Sequence, residues 1–174
     1  MKFSAGSVQI EPLSDRHDRS AFSCGMEALD RYLKQQAGQD SRRGLASVFV
    51  AADIELPQRI LGYFTLSATV IAPIDLPPEL ARRLPRQPVP AALIGRLAVD
   101  RSVARRGLGS ILLAYAIERA TMAAETVAMW AVAVDPIDEV ARQFYSTFGF
   151  RTLEGSTRMF MTVSRQSPAS KAPS

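Results

Sequence analysis

The stretch Ile94-Gly-Arg-Leu-Ala-Val-Asp100-Arg-Ser-Val-Ala-Arg-Arg-Gly107-Leu-Gly109-Ser-Ile-Leu-Leu113 decides how the chain is read. An apolar run ends at Asp100. A short basic loop with Arg101, Arg105 and Arg106 follows, and Gly107-Leu108-Gly109 opens a strongly periodic helical pattern. A strand, a basic glycine-bearing turn and a helix N-terminus make a cradle for an anion. Free N–H groups and the positive end of the helix dipole point at the ligand, and glycine lets it come close. The spacing is neither G-x-G-x-x-G nor G-x-x-x-x-G-K-[ST], so a dinucleotide fold and a P-loop NTPase are both poorly supported.

Working outward, the region before the cradle reads as strands and the region after it as alternating elements. Val8–Ile10 is a short strand, and Met26–Ala37 carries Met26, Leu29, Leu33 and Ala37 at helical spacing until Asp40–Gly44 breaks the pattern. Ser47–Ala52 and Ile60–Ala72, rich in β-branched and aromatic residues, are strands. Residues 73–90 are proline-rich, with one short helix over Pro78–Leu84. Ala91–Val99 is a buried strand, Gly107–Ala124 a helix, Val127–Val134 a strand, Ile137–Phe148 a helix closed by Gly149, and Arg158–Val163 a last strand. Strands cluster first and then alternate with helices, which predicts an α/β domain with a mixed central sheet flanked by helices. The domain spans residues 1–165, and the polar, proline-bearing stretch 166–174 reads as a disordered tail.

Composition narrows the chemistry. The 174 residues suit one domain with a proper core, and a net charge of +4 is compatible with a phosphate-rich partner without showing one. One cysteine, Cys24, allows no internal disulfide, and one histidine, His17, makes a histidine metal site or a Ser-His-Asp triad improbable, so no metal is expected. No apolar run reaches membrane-spanning length and the N-terminus lacks a signal-peptide core, so the expectation is a cytoplasmic protein with no membrane partner.

Strand, Arg105-Arg106-Gly107-Leu108-Gly109 and helix, followed by Ala131–Asp135 and by Ala141-Arg-Gln-Phe144-Tyr145-Ser-Thr-Phe148-Gly149-Phe150, resemble the GNAT superfamily of N-acetyltransferases. In that family [QR]-x-x-G-x-[GA] binds the pyrophosphate of acetyl-CoA. Gly107 and Gly109 match its small positions, while Ala104 stands where the family has Gln or Arg. Further pieces occur in order: Phe22-x-Cys24-Gly25, Leu29-Asp30-x-Tyr32-Leu33, Gly62–Ala68, Val89-Pro90 and Gly95–Asp100. Together they resemble the GNAT-type toxins of bacterial type II toxin–antitoxin modules (the TacT/AtaT group), over roughly residues 20–163.

The resemblance implies a GNAT fold whose splayed central strands bind acetyl-CoA. It implies acetylation of the α-amine of an aminoacyl-tRNA, which blocks translation, and a ribbon-helix-helix antitoxin; a homodimer is also expected. It assigns Tyr145 as the general acid that protonates the thiolate leaving group. Backbone amides of Leu97, Ala98 and Val99 hold the pantetheine arm and polarise the thioester carbonyl. Arg105, Arg106, Gly107, Leu108, Gly109 and Ser110 cradle the pyrophosphate.

Each residue also has a structural reading. Phe144 and Phe148, at i and i+4, fit an apolar helix face, and Tyr145 beside them could be one more core aromatic. Arg96, a charge inside an apolar strand, could pair with Asp100 or Glu118, or face RNA. Arg42, Arg43, Arg82, Arg83 and Arg86 could be solvated turns or phosphate contacts. Cys24 reads as a small buried thiol, and Asp135 and Asp138 as caps of the helix that follows. No histidine or glutamate stands out as a base. An α-amine titrates at about 7.7–8.0, lower once its carboxyl is esterified, so a large fraction is neutral near pH 7. Two rivals stand beside this reading: a GNAT enzyme for a small amine or a protein N-terminus, and a catalytically dead GNAT fold that only binds.

Overall fold

The β-branched and aromatic runs join into one mixed sheet. In the computed structural model, which describes residues 2–163, the strands are β1 (Val8–Pro12), β2 (Ser47–Asp53), β3 (Ile60–Ile71), β4 (Val89–Val99), β5 (Ala131–Val134), β6 (Arg151–Thr152) and β7 (Met159–Thr162). The helices are α1 (Glu27–Gln35), α2 (Ala37–Arg42), α3 (Pro78–Ala81), α4 (Leu108–Thr126) and α5 (Glu139–Thr147). The sheet order is β1-β2-β3-β4-β5-β7-β6. Among these strands β4 and β5 are the pair that runs parallel, and the connection this requires is α4.

Alternation along the strands sends side chains to the two faces of the sheet, which hold three buried clusters. Phe64, Ala92, Ile94, Val132 and Val134 pack with Leu108, Leu112, Leu113, Ala116 and Ala120 of α4, and Tyr145 and Phe150 join them. On the opposite face Tyr63, Val50 and Ala98 pack with Phe22 and with Tyr32 and Leu33 of α1, while Ala91, Ala131 and Phe160 form a third cluster with Ile71 and Leu76. Gly62 lets α4 lie close on this sheet. A Cβ there would sit 2.7 Å from Leu112 Cδ1 and 3.0 Å from the Ala98 carbonyl oxygen. Gly62→Ala should therefore cost about 1–3 kcal/mol by overpacking. Denaturant melts of the two proteins check this, and an unchanged midpoint would contradict the close packing.

A bulge shapes the centre of the sheet. Thr65 pairs with Arg96 and Leu66 with Ile94, so Gly95 is the extra residue. It moves the α4-facing positions from Ala92 and Ile94 to Leu97 and Val99 and turns Arg96 to the other face. Beyond the bulge β4 has β3 on one side only, because its pairing with β5 runs from Ala91↔Ala131 to Ile94↔Val134 and stops. Asp135-Pro136 ends β5: proline has no N–H for the ladder. The central strands thus diverge after Ile94.

The observed elements differ from expectation in definite ways. The Met26–Ala37 helix is two helices. The chain turns at Gln36 (φ −121°), and α2 runs through Asp40, Ser41 and Arg42, where a break was expected. Asp40 is used there as an acceptor for the Tyr32 hydroxyl, 2.9 Å away. The strand expected over Val127–Val134 starts only at Ala131, since Val127 closes α4 and is exposed. The helix over Pro78–Leu84 stops at Ala81. The two-residue β6 had no periodic signal. The expected tail, 166–174, lies outside the described residues.

Candidate active site

The turn from β4 into α4 is built on Asp100. Its carboxylate accepts the Ser102 amide (2.9 Å) and hydroxyl (2.6 Å) and the Ser23 amide (3.0 Å). Burial pushes this group up, but those hydrogen bonds outweigh it and hold it below its ordinary value. Arg105 follows with φ +61° and Gly107 with φ +90°, two left-handed residues that bring the chain round to α4. Arg106 is pinned from the N-terminal segment. Its guanidinium lies 4.3 Å from the centre of the Phe3 ring, and its carbonyl accepts the Phe3 amide at 2.7 Å.

α4 begins without a side-chain cap. Among the described residues nothing accepts the N–H groups of Leu108, Gly109 and Ser110. A Cβ on Gly107 would meet nothing within 4 Å. An uncapped helix N-terminus under open space, flanked by arginines, fits a diphosphate. The Gly109 position is bounded instead by Phe144 and Val99, each 3.8 Å from where a Cβ would stand. That contact brings α5 to the head of α4 and to the end of β4.

Tyr145 is divided between the core and the surface. Its ring is core: the residue is 6% exposed, and it packs on Phe150 (5.8 Å between ring centres) and Phe144 (5.5 Å). Its hydroxyl makes no hydrogen bond among the described residues, and no fully enclosed side-chain oxygen there lacks a partner, so this one reaches the surface. Burial, and then the negative charge of Asp135 just past β5, push the phenol up to about 12. It is therefore a proton donor throughout the neutral range. Tyr63 instead donates to the Leu29 carbonyl at 2.7 Å, and Tyr115 lies against Phe49 and Phe64, beside β1.

The structure gathers Leu97–Val99, Arg105–Ser110 and Tyr145 at the end of β4. It does not bring the other basic residues there. Arg82, Arg83 and Arg86 are exposed between α3 and the start of β4, and Arg42 and Arg43 are exposed at the end of α2, ahead of β2. Both groups lie towards the opposite end of the sheet. β4 is 11 residues long, so its two ends are roughly 33 Å apart. Arg96 pairs with neither Asp100 nor Glu118. Its guanidinium lies 3.6 Å over the Tyr32 ring, on the face away from α4.

Asp138 caps α5, accepting the Ala141 amide at 2.8 Å, but Asp135 is no cap. It is bound by Arg158 through Nε (2.7 Å) and Nη2 (3.0 Å), a pair 23 residues apart with no local signal in the sequence. His17 is buried, its Nε2 2.7 Å from Glu11, and burial with the Asp30 carboxylate pushes the Cys24 thiol up to about 11. Among the described residues no three His, Cys, Asp or Glu side chains come together as metal ligands, and no helix is long and apolar enough to cross a membrane.

An uncapped helix head, divergent parallel strands and a surfacing tyrosine thus belong to one end of the sheet. Residues 13–150 match the model of the acetyltransferase (GNAT) family. The chain belongs to that family: it is an acetyltransferase with acetyl-CoA as its donor. It is 38% identical over 138 residues to a tRNA-acetylating toxin of Mycobacterium tuberculosis (strain ATCC 25618 / H37Rv), covering 79% of this chain and 81% of that protein. It is also similar to a phenylalanine-for-tyrosine mutant of KacT, with a TM-score of 0.86 at 29% identity and coverage of 90% and 95% of the two chains. A further similar structure is AtaT complexed with acetyl-methionyl-tRNAfMet, with a TM-score of 0.83, 28% identity and coverage of 89% and 94%. Similar again is a mutant AtaT toxin bound to acetyl-CoA and the C-terminus of the antitoxin AtaR, with a TM-score of 0.76 at 25% identity and coverage of 90% and 94%.

Proposed function

We propose that this enzyme transfers the acetyl group of acetyl-CoA to the α-amine of an aminoacyl-tRNA and acts as a toxin by removing that tRNA from translation. The observation that carries the reading is the likeness, over most of both chains, to a tRNA-acetylating toxin. The uncapped head of α4 and the Tyr145 hydroxyl, which has no partner among the described residues, support it. The open amides of Leu108–Ser110, with Arg105 and Arg106 beside them, hold the pyrophosphate. The unpaired edge of Leu97–Val99 takes the pantetheine arm and polarises the thioester carbonyl. Tyr145 gives its phenolic proton to the departing sulfur. A ribbon-helix-helix antitoxin neutralises the toxin, which works as a homodimer in the cytoplasm; the described domain belongs to a unit of residues 1–165. An acceptor screen with radiolabelled acetyl-CoA tests the reading. Label should pass to charged tRNA and not to deacylated tRNA, and transfer only to small amines or peptide N-termini would replace it with the narrower alternative.

Arg42, Arg43, Arg82, Arg83, Arg86 and Arg96 are assigned to the RNA. The first five lie towards the far end of β4, which suits an acceptor that approaches from the side opposite the diphosphate, while Arg96 lies beyond the bulge on the face away from α4. Replacing Arg82, Arg83 and Arg86 together by Ala should weaken tRNA binding and lower the slope of log K against log salt by up to about three charges' worth. Acetyl-CoA affinity should stay as it was. An unchanged salt slope would leave the three as a solvated turn.

A further inference from the structure

We propose that Asp135, fixed by Arg158, is the group that holds the acceptor's amine at the reaction centre. This rests on the reading of the acceptor as an aminoacyl-tRNA and adds the residue that recognises its nitrogen.

The position comes first. Asp135 is the first residue past the last rung between the central strands, Ile94↔Val134, so it stands where they diverge. Along β5, Val132 and Val134 face α4, whereas Ala131 packs with Ala91 and Phe160 on the other face. Alternation continues that second face to Asp135. Arg158, two residues before Phe160, and Thr69, opposite Ala91, meet it there. The diphosphate cradle is the head of α4, on the first face. A donor laid from that cradle through the opening leaves the Asp135 face to the nucleophile, and Tyr145 feels the Asp135 charge from α5.

The chemistry fits an amine. Arg158 occupies one lone pair on each Asp135 oxygen, at 2.7 and 3.0 Å, which leaves acceptor capacity on both. The third arm of Arg158 donates to Thr69 Oγ1 at 3.1 Å, so the fork cannot follow an incoming ligand. The side chains of Asp135 and Arg158 remain 42% and 28% exposed. A bare carboxylate would stabilise the ammonium, which cannot attack. A carboxylate whose charge is offset by arginine still accepts an N–H bond but lets the ammonium lose its proton. The acceptor gives that proton to water, and Asp135 then orients the neutral nitrogen. The C–N bond forms as the C–S bond breaks. The nitrogen's second proton passes to water, the sulfur takes the Tyr145 proton, and water restores it.

Two variants separate this from a mere brace. Asp135→Asn should lower kcat/KM for charged tRNA about tenfold or more, with acetyl-CoA affinity held within about twofold. With Tyr145→Phe present to stop turnover, wild-type Asp135 should bind charged tRNA more tightly than deacylated tRNA, and Asp135→Asn should abolish that preference. Arg158→Met should keep or strengthen it while turnover falls. If the pair only braces β5 to β7, the two variants behave alike, losing melting temperature and rate together with the preference intact, and the proposal is overturned. Equal rates for Asp135→Asn and wild type overturn it too. Should the wild type acetylate a different amine, the reading of the acceptor fails. The same contrast, run on that amine, still decides Asp135.

Discussion

Tyr145→Phe should lower kcat by about 10²–10⁴. The substitution removes one hydroxyl and keeps the ring that packs on Phe144 and Phe150. That hydroxyl has no partner among the described residues, so no internal hydrogen bond is lost and the melting temperature holds. Acetyl-CoA affinity should also hold, because the proposed cradle is made by α4 and its approach. The rate of the wild type should show no alkaline decline from loss of the Tyr145 proton until the pH nears the phenol's value of about 12. Single-turnover acetylation beside a melting curve reads all of this. A variant that keeps most of its rate would remove Tyr145 from the chemistry. Tyr63 and Tyr115 are poor substitutes, since the first already donates to Leu29 and the second faces β1.

Gly107→Asp should reduce acetyl-CoA affinity at least tenfold, about 1.4 kcal/mol or more. The position has φ +90°, and its Cβ would project into open space at the N-cap of α4. The added carboxylate would compete in place and charge with a diphosphate held at the proposed cradle. Gly107→Ala is the control. It carries the strain of a left-handed alanine, about 1 kcal/mol of stability, without the competing charge. Titration calorimetry on both folded variants decides between strain and displacement. Full affinity in Gly107→Asp would place the diphosphate elsewhere.

How much of this was legible depends on the range of the cause. The β4–α4 turn is local: an apolar run, arginines and glycines within 20 residues specify a strand, a left-handed turn and an uncapped helix. Tyr145 could be placed on α5 from the 144/148 spacing, but its buried ring and surfacing hydroxyl depend on Phe150 and on the neighbouring strands. The divergence of the central strands was legible only by resemblance, because it follows from a register that ends at Ile94↔Val134 and from a bulge at Gly95. The misread helix break has a similar origin. Asp40-Ser-Arg-Arg-Gly has turn-like composition, yet α2 persists through Arg42. Arg96 on Tyr32 and Arg158 on Asp135 join residues 64 and 23 apart in the chain. Charge patterning could flag Arg96 but could not choose its partner, and the place of Asp135 ahead of a helix suggests a cap where the structure has an ion pair.

The most direct test of the central claim is to recover the product. Wild-type enzyme is incubated with acetyl-CoA and a charged tRNA pool, the RNA is digested to nucleosides, and the 3′-terminal aminoacyl-adenosine is weighed by mass spectrometry. An acetyl group on the amino-acid nitrogen of that terminal nucleoside, present with wild type and absent with Tyr145→Phe, is the predicted result. Aminoacyl-adenosine of unchanged mass under conditions where the enzyme acetylates another amine would contradict it.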